Sequence, residues 1–235
     1  MCRLNVVLLA LAAALALAIL TTAYTGRTPF QLLGVASKVT DTPPARWHGT
    51  PGLWDPPAVE HATIERFEVT GLSQYAIEKS LSTSPIANDP DPTAPPNTVA
   101  WGEIRFHLRG GTCERPPTVT LQYDLTILLP RWSPAPDGSV TVQLVKEWNA
   151  LLQVIHTHEA GHASIYRDDM AAIQDHVRTL ASCDAVVTYL EDPPTFMKID
   201  DDQAAYHKRL FADCRPEIGC APPGWMGWEG QGVRR

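Results

Sequence analysis

His158, Glu159 and His162 stand together as His158-Glu159-Ala160-Gly161-His162. Four residues on a helix of 3.6 per turn leave the two imidazoles about 40° apart on one face. They can therefore converge on one metal ion at Zn–N distances of about 2.0–2.1 Å. Glu159 follows the first histidine, so its carboxylate flanks the same ion. Zinc brings the pKa of a bound water to about 7, and a carboxylate at that place can take its proton. Such a constellation performs water attack on a polarised carbonyl, with Glu159 as general base and then as acid to the leaving group. A catalytic zinc has three protein ligands and an open position, so one ligand must come from elsewhere. Asp168 lies ten residues after His158 with no glycine break after Gly161. On a continuous helix that places it about 15 Å along the axis, out of reach.

The element that must position the motif is a long helix. From about Val142 to Leu180 there is no proline and one glycine. Trp148, Leu152, Ile155, Glu159, His162, Tyr166, Asp169 and Ile173 follow steps of three and four, which is one helix face. The polar members of that face need partners there, because an unpaired polar group in an apolar stripe costs stability. His156 falls on the opposite side of the same helix and is expected at the surface. Before this helix the chain alternates like strands. Thr63 to Val69 forms one run, Thr98 to Leu108 a second, and Thr118 to Leu129 the third and clearest. Gly110-Gly111 is expected to turn the chain and Pro130 to stop the last strand. Ser73 can cap a short helix through about Leu81. Further helical stretches follow Cys183 and run from about Thr195 to Asp213, while Ser84 to Asn97 is a proline-rich loop. Strands first and helices later give an α+β fold, with a small, mainly antiparallel sheet packed on the long helix and the C-terminal helices.

Residues Val6 to Leu20 are an unbroken apolar run of about 15 residues, the length of a signal-peptide core. Residues 1–25 are therefore expected to be a signal peptide, or an uncleaved signal anchor, which would be the protein's only tie to a membrane. Residues 26–60, rich in proline, read as a linker, although Trp47 and Trp54 can pack on the domain beyond it. That domain spans 61–220, and 221–235 form an irregular tail. Everything beyond the apolar run is expected outside the cytoplasm, secreted or anchored to the outer face of the cytoplasmic membrane. Cys113, Cys183, Cys214 and Cys220 then suit two disulfides. Cys214 and Cys220 are near enough to close a small loop, which leaves Cys113 with Cys183. The net charge of −7 at pH 7 lacks the basic footprint of a nucleic-acid binder.

The His158-to-His162 stretch resembles the zincin metallopeptidases. More narrowly, the chain from about Phe67 to Cys220 is similar to a bacterial family of predicted secreted zinc-dependent proteases. The resemblance rests on Phe67-Glu68-Val69-Thr70-Gly71, Gly111-Thr112-Cys113, Leu129-Pro130-Arg131-Trp132, Trp148, the metal motif, Ser182-Cys183 and Tyr206. It implies His158 and His162 as zinc ligands, Glu159 as the catalytic carboxylate, a polypeptide substrate, and a sheet whose edge strand lines the cleft. The relatives place a histidine in the last helix after a Tyr-Asp pair. Here that stretch is Tyr206-His207-Lys208-Arg209-Leu210-Phe211-Ala212-Asp213, with Ala212 at the expected position. His207 and Asp213 are the two candidates for the third ligand, and Tyr206 could reach an oxyanion. The departure at Ala212 leaves a second expectation open: a metal-binding or cell-envelope interaction protein without turnover.

Overall fold

The computed structural model describes residues 43–50, 52–84, 86, 101–114, 118–212 and 225. All of them but Pro43 belong to one compact unit, Pro44–Arg235. The expected N-terminal signal segment, the Ser84–Asn97 loop apart from Ser84 and Ile86, and both Cys214 and Cys220 lie outside the described residues. Among the described residues, no helix is long and apolar enough to cross a membrane.

Among the described residues the architecture is α+β, with three strands and four helices in the order β1 (Ala62–Val69), α1 (Gln74–Leu81), β2 (Glu103–Glu114), β3 (Thr118–Trp132), α2 (Val142–Val177), α3 (Cys183–Glu191) and α4 (Pro193–Ala212). Ser73 caps α1 by accepting from the Ala76 N–H, and Thr141 caps α2 by accepting from the Leu144 N–H. The 36 residues of α2 extend about 54 Å at 1.5 Å per residue. The 15 residues of β3 reach about 50 Å at 3.3 Å per residue. The long helix thus has a strand of its own length to lie along.

The sheet order is β1-β3-β2. β2 and β3 form an antiparallel pair, but β1 runs parallel to β3, from Ala62 opposite Leu125 to Val69 opposite Trp132. The sheet is therefore mixed, not mainly antiparallel. The whole of α1 and β2 separates β1 from its partner, and a connection of that length can cross over and deliver a parallel strand. Two further expectations are corrected. Gly110-Gly111 does not turn the chain. β2 passes through it with a register shift between Leu108 and Gly110, and Gly110 takes up the bulge at φ 112°, a backbone region open to glycine. Nor does Pro130 stop β3. The β2 pairing ends at Leu128, so among the described residues Pro130 has β1 as its only strand neighbour. A residue lacking an N–H is tolerated on such an edge.

The core divides into two clusters along the β3–α2 contact. Leu125, Ile127, Leu129 and Trp132 pack with Trp148, Leu151, Leu152 and Ile155 at one end. Val119 and Leu121 pack with Met170, Ile173, Val177, Val186 and Ile199 at the other. β1 does not reach the second end, and Gln174 of α2 bonds the β3 backbone there. It accepts from the Leu121 N–H at 2.7 Å and donates to the Val119 carbonyl at 2.7 Å. The stretch before β1 is laid on the N-terminal half of α2. The Trp47 N–H donates to the Val140 carbonyl and the Val142 N–H to the Ala45 carbonyl, each at 2.9 Å. Trp47 itself is buried. Asn149 receives the Trp54 N–H at 2.9 Å. His156 is half-buried, not at the surface: it donates to the Pro57 carbonyl at 3.0 Å and meets Trp54 edge-on. Its burial lowers its pKa. A disulfide joins Cys113 near the end of β2 to Cys183 at the start of α3.

Candidate metal centre

Two helices build the site. α2 contributes His158, Glu159 and His162, and α4 contributes Gln203, Tyr206 and His207. Gln203 and His207 are four residues apart and so share the face of α4 that meets α2. His162, Gln203 and His207 are buried and His158 is half-buried.

The three imidazoles converge through Nε2. His162 Nε2 lies 3.1 Å from His158 Nε2 and 2.7 Å from His207 Nε2. The candidate ligand atoms of all three lie within 4.8 Å of one another. Tetrahedral bonds of 2.0–2.1 Å would space such nitrogens about 3.3–3.4 Å apart, close to these separations. Gln203 decides which nitrogen of His162 is free to face the other two rings. Its Oε1 accepts from His162 Nδ1, while its Nε2 donates to the His162 carbonyl at 3.2 Å. With Nδ1 donating, neutral His162 keeps its lone pair on Nε2, the atom that faces the other two rings. One lone pair accepts one hydrogen in line, whereas a cation at the meeting point engages all three rings. The donor set fits a metal ion on these grounds.

Glu159 is buried beside the histidines. Its seat depends on Gly102, just before β2. A Cβ on residue 102 would stand 2.7 Å from Glu159 Oε1 and 2.6 Å from Ile155 Cγ2, closer than side chains pack. The Tyr206 hydroxyl donates to the His158 carbonyl at 3.2 Å. Burial, and then the charge of Glu159, push its pKa up to about 12, so it stays a protonated donor. Further along the pair of helices, Lys198 of α4 joins buried Asp169 of α2 to Asp202.

Among the sequence candidates, His158, Glu159, His162, Tyr206 and His207 come together here. Asp213 lies outside the described residues. Asp168 is exposed and paired with Arg167 at 2.9 Å. Two contributors escape a sequence reading, Gln203 and Gly102. For Gln203 the available signal is its four-residue spacing from His207. For Gly102 there is none, since its role exists only in the packing.

No curated protein and no solved structure matches the chain. Residues 64–209 match a bacterial family described as "Bacterial protein of unknown function (DUF922)". That match holds well over half of the chain and takes in every residue of the centre on both helices, and the protein belongs to this family.

Proposed function

We propose that the protein is a zinc-dependent hydrolase of the HExxH type, a peptidase working outside the cytoplasm. The observation that carries this reading is the meeting of His158, His162 and His207 from two helices with Glu159 buried beside them. Three neutral imidazoles are a donor set suited to zinc, and three protein ligands leave a position open. Zinc held there would supply Lewis acidity for attack of water on a carbonyl. The chain's own groups do the rest. Glu159 takes the proton of the attacking water and returns it to the leaving amine. Gln203 holds His162 in the tautomer that presents Nε2.

The zincin-like aspect of the reading is supported by the position of β2. It is an edge strand of the sheet, and at the residue before it, Gly102, the Glu159 carboxylate fills the space a side chain would take. An extended polypeptide can add to such an edge through main-chain hydrogen bonds. The extracytoplasmic location is supported by the Cys113–Cys183 disulfide and by the apolar run Val6 to Leu20.

The test is metal content of the purified protein together with cleavage of an unfolded protein such as casein. About one zinc per chain, proteolysis abolished by chelator, and a Glu159→Gln variant that keeps zinc without cleaving are expected. Zinc without cleavage of any polypeptide would instead favour a binding protein, and absence of stoichiometric metal would end the reading.

A further inference from the structure

Gly161 lies in the interior of α2, where glycine is less favourable than alanine. The structure shows what occupies the space of its missing side chain. A Cβ at residue 161 would overlap the hydroxyl and Cζ of Tyr206 and stand 3.1 Å from its Cε1. The phenol of α4 thus crosses α2 directly over Gly161, and its hydroxyl reaches the His158 carbonyl one turn back. Tyr206 and His207 are neighbours in sequence, and both stand edge-on to the His162 ring, at centroid distances of 4.8 and 4.5 Å. Whatever sets the depth of Tyr206 on α2 therefore sets His207 as well.

We propose that Gly161 and Tyr206 form a steric lock that fixes α4 on α2 and holds His207 in range of His158 and His162. Tyr206 is in this view a positioning residue, and no action of its hydroxyl on an oxyanion is required. The consequence at His207 rests on the metal reading above; the lock itself does not.

The contact makes a prediction of opposite signs. In the parent, Gly161→Ala drives a methyl group into the phenol, so Tyr206 must leave its seat and α4 loses the contact that sets its depth. With Tyr206→Leu the phenol is gone, and the same alanine is simply the better helix former. The experiment measures metal-free melting temperatures of the parent, Gly161→Ala, Tyr206→Leu and the double variant, and titrates each with cobalt(II). Gly161→Ala should lower the melting temperature in the parent and raise it in the Tyr206→Leu background. It should also weaken cobalt binding at least 10-fold, roughly the size seen when support of a metal ligand is lost, and alter the cobalt d–d bands as His207 leaves. The double variant should recover part of that loss.

If Gly161→Ala fails to fold while the double variant folds, the rescue supports the lock. Failure of both, equal signs in the two backgrounds, or unchanged cobalt binding by Gly161→Ala would overturn it. If the parent takes up no cobalt, the metal reading fails, and the melting temperatures alone decide the lock.

Discussion

Gln203 grips one residue twice, at the His162 ring and at the His162 carbonyl. Replacing it by leucine keeps the volume and removes both bonds, leaving the ring free to rotate and to change tautomer. Gln203→Leu should weaken zinc affinity about 10–100-fold, measured by competition with a chromophoric chelator, while His158→Ala should abolish stoichiometric binding. Asp169 offers a test against pH. Its carboxyl is raised above the ordinary range by burial, with Lys198 pulling against that shift. A carboxyl whose pKa is higher in the folded chain contributes stability in full below its unfolded pKa, about 3.9, and loses it as pH rises through the folded value. Asp169→Asn cannot ionise, so its melting temperature should gain on the parent's over the range in which pH rises above that unfolded value. A constant difference across that range would contradict the shift. Much of the centre is legible in the sequence because His158, Glu159 and His162 lie within one turn of one helix, where spacing alone determines direction. His207 stands 45 residues beyond His162, and its role depends on which face of α4 turns toward α2. Ligand chemistry favours it over Asp213 while position favours Asp213, and only the packing brings it to the other two rings.

The helices follow their local signals closely, since their caps and periodicity are short-range. Ser73 acts as the cap its position suggests, and Thr141 caps α2 in the same way. Thr141→Ala should cost about 1 kcal/mol, visible as a lower urea midpoint with unchanged slope. The strands depart more from local reading. Gly110-Gly111 and Pro130 carry strong turn and stop signals, yet the strands run through both. Whether a proline ends a strand depends on whether a neighbour needs its N–H. Whether a glycine pair turns or bulges depends on the partner strand's register. Neither is written within a few residues of the position. The parallel pairing of β1 is hidden for the same reason, because alternation reveals a strand's faces and not its direction.

At the scale of the molecule, the Cys113–Cys183 bridge ties the β2 end of the sheet to α3 across a separation of 70 residues. Cys113 packs against the Val119–Ile173 cluster and not against the cluster that holds Trp148 and Ile155. Cys113→Ser with Cys183→Ser should cost about 2–4 kcal/mol, on the order of 4–16 °C in melting temperature, with metal affinity little changed once the protein is folded. A large loss of affinity at a temperature where the variant is fully folded would show that the two ends of α2 are coupled.

The parallel pairing also sets a timetable. Ala62 faces Leu125 and Val69 faces Trp132, so each β1 residue waits 63 positions for its partner. β2 and β3 need only close on each other across the short stretch between Glu114 and Thr118. A chain made from its N-terminus therefore carries β1 as an unmatched strand until β3 is complete, and the hairpin must come first. Loops of that length close late and slow the folding of the whole. The β1 strand is then the last to dock and, under denaturant, the first to be released, so its amides should exchange with solvent ahead of those shared by β2 and β3.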